Sequence, residues 1–138
     1  MSTLNVDALV GNTSANAITV RGEGSATTSL QQGLAKAWLS MNGTGTIAVR
    51  DSFNITSISD AGVGLTDVTI ANDMSSGEYS LTGASGVFVG NSDNVRLGFS
   101  TQTNPPTTTA FRSITRVANT NSNADVTYSF VQTFGDLA

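Results

Sequence analysis

The charged side chains available for acid–base or ligand chemistry are few and of two kinds. The chain has ten carboxylates and six cations (Arg21, Lys36, Arg50, Arg96, Arg112 and Arg116), with no cysteine and no histidine in 138 residues. That leaves no thiolate, no imidazole base and no His/Cys ligand set of the kind that holds zinc. A Ser-His-Asp or Cys-His centre cannot be built. What remains is carboxylate chemistry, and paired carboxylates cleave glycosides only when they face each other across a cleft. Here the acids sit in different local contexts: Asp51 and Asp60 flank one apolar run, and Asp67, Asp73 and Glu78 straddle the next turn. Asn91-Ser92-Asp93-Asn94 has oxygen donors but not the spacing of a calcium loop, so it reads as a turn. Gly22-Glu23-Gly24 and Gly43-Thr44-Gly45 lack the third glycine and the lysine of a phosphate loop and are also turns. The residues therefore predict a protein that is not an enzyme and needs no cofactor or metal.

Composition narrows the class further. Charged residues make up 12% of the chain, the net charge is −4 and 38% of residues are apolar, which is not the signature of a disordered polymer. The cations are scattered, so no basic stripe is available to neutralise a phosphate backbone, and nucleic-acid binding is not expected. Arg50-Asp51 and the Arg112 to Arg116 segment read as solvated or interchain pairs. The opening MSTLNVDALV has no basic n-region or long apolar run, so no signal peptide is expected. No stretch approaches the ~18 consecutive apolar residues of a membrane span, so membrane insertion is not expected either.

The elements that position these residues read as strands. The organising stretch is KAWLSMNGTGTIAVRDSFNITSISD, from Lys36 to Asp60. It predicts a strand over 35–41, a tight turn with positive φ at Asn42-Gly43, a return strand over 46–50 and a third over 53–58. Ala37, Leu39 and Met41 share one face, with Trp38 and Ser40 on the other. Apolar weight on both faces marks a central strand, or one whose outer face meets another chain. Further strands are expected over 65–71 (Thr66, Val68 and Ile70 inward), 78–84, a short run at 87–89, 95–99, 110–117 and 125–134. In the last of these Val126, Tyr128, Phe130 and Phe134 are placed on one face, with Gln132 the exception. Residues 59–64 and the Asn104-Pro105-Pro106 segment are loops. About eight short strands at this spacing predict an all-β fold, an antiparallel β-sandwich or barrel.

The leader is thin in apolar mass. Residues 3–9 alternate like a half-buried strand, and 17–21 form a second short one. Residues 29–37 hold the best helix formers, with Ser29 as cap, Gln32 as its partner and Gly33 limiting the helix to one to three turns. The expected division is an attachment and oligomerisation arm over 1–32 and a head domain over 33–138. The alternative is that the leader forms the first hairpin of the domain.

The organising run resembles a β-rich module of tail-fibre and other virion structural proteins of marine and freshwater bacteriophages, cyanophages among them. The likeness rests on Lys36-Ala37-Trp38, the Asn42-Gly43-Thr44-Gly45 turn, Arg50-Asp51-Ser52-Phe53-Asn54, the glycine turn at Asp60, Gly62 and Gly64, Tyr79, and terminal Phe134-Gly135-Asp136. It covers roughly residues 33–138. The chain departs from the pattern in having Met41 where the module has Phe, and residues 87–110 look longer than usual. The resemblance implies a virion protein assembled in the host cytoplasm, most simply a small trimeric tail-fibre or receptor-binding subunit. Its partners would be other virion proteins and host surface polysaccharide. A capsid decoration (cement) protein is the competing reading. Leu30, Leu34 and Trp38 are the expected oligomer interface, and Asn91, Asp93, Asn94, Asn104 and Thr107 the expected host-contact loops.

Overall fold

The computed structural model describes residues 3–13, 17–21, 24–86 and 95–138. The chain divides into two compact units, Met1–Leu34 and Ala35–Ala138. In the first, β1 (Thr19–Arg21) pairs antiparallel with β2 (Thr27–Ser29), and a single helical turn follows, α1 (Leu30–Gly33). Ser29 caps that turn, its Oγ accepting from Gln32 N–H at 3.4 Å. Residues 3–9 form no strand, contrary to the alternation, because no neighbouring backbone supplies a ladder for them. None of the described residues of this unit is buried.

The second unit is a sandwich of eight strands: β3 (Ala37–Asn42), β4 (Ala48–Phe53), β5 (Ile55–Gly62), β6 (Leu65–Ile70), β7 (Ser80–Gly86), β8 (Val95–Phe99), β9 (Ala110–Val117) and β10 (Tyr128–Phe134). Two four-stranded antiparallel sheets, in the orders β4-β3-β10-β7 and β5-β6-β9-β8, remain separate and do not close into a barrel. Period-two alternation delivers the core from both sheets. Leu39, Met41 and Val131 come from one and Val68, Ile70 and Phe111 from the other, with Met74 from a connection. Leu97 and Phe99 pack against this cluster, and Phe99 meets Phe111 edge to face at 6.1 Å.

The first passage between the two sheets is made by one residue. β4 ends at Phe53, β5 begins at Ile55, and Asn54 between them takes a left-handed conformation, φ +58°. Asparagine tolerates this region better than other side chains and can hydrogen-bond locally. Its Nδ2 donates to Lys36 O at 2.9 Å and to Asn72 O at 3.2 Å. Its Oδ1 accepts from Asn72 N at 2.7 Å and Asn72 Nδ2 at 2.8 Å, while Ala71 N–H donates to its backbone carbonyl. The start of β3, the β4–β5 corner and the end of β6 are thus joined through one side chain.

Several expectations are corrected here. The β3–β4 hairpin has no tight turn at Asn42-Gly43; residues 43–47 form a wider loop in which Gly45, φ +64°, takes the left-handed position. Asn42 Oδ1 and Nδ2 organise this loop by bonding Thr44. Gly43 serves for proximity: its N–H donates to Val126 O at 2.8 Å, and a Cβ there would lie 3.2 Å from that oxygen. Residues 59–62, expected in a loop, continue β5 and turn at Val63-Gly64. Gly64 has φ +65°, and a Cβ would come within 2.5 Å of Thr115 O. The largest correction concerns β10. Ser129, Val131 and Thr133 point into the sandwich, and Tyr128, Phe130 and Gln132 point out.

If Asn54 holds the corner as described, Asn54→Ala should lose both the bonds and the tolerance of positive φ, at a cost of about 2–4 kcal/mol. Asn54→Gly loses only the bonds and should be about 1 kcal/mol less damaging. Urea unfolding of both variants checks this, and equal losses would count against the conformational half of the argument.

Candidate functional site

Because strand side chains alternate, residues facing away from the core on β4-β3-β10-β7 line up in rows. One row crosses the sheet as Phe53, Trp38, Gln132 and Thr82, and the next as Asp51, Ser40, Phe130 and Ala84. Tyr128 follows along β10, its ring parallel to that of Phe130 (12° between planes) with centroids 6.3 Å apart. A bulge in the β3–β4 pairing, between Ser40 and Met41, leaves Arg50 as the extra residue of its strand. Its guanidinium sits 4.4 Å over the Tyr128 ring and donates to Thr127 O at 3.1 Å. Phe53 is 54% exposed, Phe130 46% and Tyr128 42%, while Trp38 is half-buried. Four aromatic rings on one sheet face, with a cation and a carboxylate among them, form a contact surface rather than a solvated one.

The opposite face of the sandwich behaves differently. On the outside of β5-β6-β9-β8, Asp67 and Arg112 stand directly across in register and form a two-bond pair, at 2.6 and 2.7 Å. That hydrogen-bonded guanidinium, and then its charge, hold the Asp67 carboxyl below the ordinary range. The fork also donates to Asn104 Oδ1 at 3.2 Å. Among the described residues no group of three or more acidic side chains comes together to hold a metal ion.

The residues singled out from the sequence fall in several places. Trp38 lies in the aromatic face, whereas Leu30 and Leu34 belong to the first unit, where they line an open cleft of about 850 Å³ beside residues 6–13. Asn91, Asp93 and Asn94 lie outside the described residues. Asn104 and Thr107 lie on the β8–β9 connection, where they do structural work. Asn104 bonds Arg112 and Ser100, while Thr107 Oγ1 accepts from Ala110 N at 3.1 Å and Thr109 N at 3.3 Å. The sequence pattern does not mark Tyr128, Phe130 and Phe53 as surface residues, because bulky apolar side chains ordinarily fill a core. The available signal was Gln132, which interrupts their face, while Ser129, Val131 and Thr133 form an uninterrupted small-residue face of the same strand. No family profile, no curated protein and no solved structure matches the chain.

The Asp67–Arg112 pair fixes a pH dependence. A carboxyl whose folded pKa is depressed adds stability above its unfolded value, about 3.9, and loses it as pH falls through the folded value. Asp67→Asn should therefore flatten part of the fall in melting temperature below about pH 4. With the Asp67 side chain 41% exposed, the effect should be modest. Thermal melts between neutral pH and acid test it; identical acid limbs in both proteins would remove the pair from the argument.

Proposed function

We propose that the protein is a non-enzymatic structural protein of a bacteriophage particle, a small tail-fibre or receptor-binding subunit. It assembles as a closed homotrimer, with its N-terminal unit serving attachment and its sandwich facing the host. The phage part of this reading rests on the sequence resemblance across the Lys36–Asp60 run and the motifs that follow it. The assembly part is carried by one observation, the exposed aromatic face of β4-β3-β10-β7. A neighbouring copy of the chain can cover that face with a different patch of its own surface, the heterologous contact a closed ring requires, and Arg50 and Asp51 offer it both signs of charge beside the rings. Capsid cement is the second reading, and the same surface would then clamp capsomers.

Light scattering at micromolar concentration should give the mass of a trimer, and a stable monomer would overturn the assembly claim. The double variant Phe53→Ser/Phe130→Ser should dissociate it. Both side chains are about half exposed, so each substitution should cost the sandwich about 1 kcal/mol, too little to unfold it. Antibody labelling of virions separates the two readings: label on the tail supports the fibre, and label over the head surface supports cement.

A further inference from the structure

Three of the six cations of this acidic chain are carried to one sheet face: Arg96 on β8, and Arg112 and Arg116 on β9. Arg112 is neutralised by Asp67. The other two stand directly opposite each other in the β8–β9 register, Arg96 across from Arg116, and among the described residues neither has an acidic partner. Like charges directly opposite on adjacent strands destabilise a sheet. Their hydrogen bonds are to neutral groups. An Arg96 Nη2 donates to Asn121 Oδ1, and Arg116 Nε donates to Asn123 Oδ1 at 3.0 Å. Both asparagines lie in the chain just after β9, where Asn121 takes φ +56° and its N–H donates to Val117 O at 2.9 Å. The guanidinium groups are oriented, and among the described residues no carboxylate compensates their charge.

Between and beside them lies a shallow notch of about 100 Å³ lined by Arg96, Gly98, Ile114 and Arg116, among others. Gly98 forms part of its floor, opposite Ile114. Glycine weakens a strand interior and marks places where a ligand approaches the backbone. Nothing about the backbone requires it here: a Cβ on Gly98 would meet nothing nearer than Ile114 O at 3.9 Å. The missing side chain leaves space, and that space adjoins the two uncompensated cations.

We infer that Arg96 and Arg116 form a binding site for a single oxyanion group, a carboxylate, sulfate or phosphate, seated over Gly98. Guanidinium forks bind such groups through paired charge-assisted hydrogen bonds. Among the described residues Arg96 is held through one Nη and Arg116 through Nε, which leaves further N–H donors on both forks for the oxyanion. The oxyanion would relieve the repulsion across the β8–β9 pair, so binding and stability are coupled. The site is independent of the assembly face, which belongs to the other sheet.

The test uses the full chain with three probes: sodium sulfate, sodium phosphate and sodium glucuronate. Sodium chloride at matched ionic strength is the control. Isothermal titration and thermal melts are compared for the wild type, Arg96→Gln, Arg116→Gln and Gly98→Leu. At least one probe should bind the wild type and raise its melting temperature beyond the chloride control. Each variant should weaken that binding by about tenfold or more. Gly98→Leu keeps both arginines and fills the notch, so it should lose binding without losing charge. Without added anion, Arg116→Gln should melt no lower than wild type, because one of two opposed like charges is removed, and a clear fall would count against the coupling of anion binding to stability. Glucuronate binding without sulfate or phosphate binding would identify the source as an acidic sugar, and the reverse a free inorganic anion. Absence of binding by every probe, or equal binding in wild type and Gly98→Leu, would overturn the site.

Discussion

The corner at Asn54 ties three strands of the sandwich together. A strand that leaves one sheet and enters the other must reverse its side-chain direction within very few residues, and here Asn54 does so alone with φ +58°. Left unsupported, a non-glycine residue in that region carries a strain cost. The bonds to Lys36 O and to both backbone groups of Asn72 support it, and they tie the β3 entry and the β6 exit to the same point. A second knot stands elsewhere in the same unit. Gly64 N donates to Asp125 Oδ1 at 2.7 Å, Thr115 N donates to Gly64 O, and Thr115 Oγ1 donates to Ala124 O at 2.6 Å. Between these polar fastenings the core needs little bulk. Its fully buried side chains are mainly Leu, Met and Val, with small Ser and Thr among them.

That thin interior explains why the aromatic residues of β10 face outward. Where β7 passes β10, a Cβ on Gly83 would run into Phe130 O and the Leu97 side chain of the facing sheet. The sheets approach so closely there that only small inward side chains fit, and Ser129, at 0% exposure, lies opposite Ser85. Neither serine hydroxyl has a hydrogen-bond partner among the described residues, a cost consistent with size rather than polarity governing those positions. A Phe or Tyr turned inward would need the sheets to separate. The outward placement of Tyr128 and Phe130 is therefore imposed from inside, and the aromatic face follows from the packing constraint.

The strands legible in the sequence were those with one apolar and one polar side. Thr66, Val68 and Ile70 alternate cleanly, as do Val95, Leu97 and Phe99, and both runs became strands with those residues inward. Alternation failed where both faces carry apolar residues, because pattern alone then gives no direction; β10 is the case. It failed again over residues 3–9, because a strand needs a partner and a sequence pattern does not supply one. Asn42-Gly43 misled for a related reason: its glycine answers to Val126, more than eighty residues away, and not to the local turn. The outward direction of Trp38 was legible because Ala37, Leu39 and Met41 so plainly claimed the inward side. The Arg96–Arg116 juxtaposition was not legible, since residues twenty apart become neighbours only through the register of β8 on β9.

The two outer faces of the sandwich are consequently built differently and do not overlap. One sheet presents stacked rings and a bulged arginine to the outside; the other presents three guanidinium groups, of which one is neutralised and two have no acidic partner among the described residues. They belong to different sheets on opposite sides of one core, so a partner covering Trp38 and Phe130 leaves the notch at Gly98 open. Low overall charge is what makes this division possible. With only six cations in the chain, placing two of them unneutralised side by side creates a local field that a more densely charged surface would screen or pair away. The aromatic sheet is suited to burial against a large surface, where ring area contributes most. The cationic notch is suited to one small anionic group, where geometry and charge contribute most.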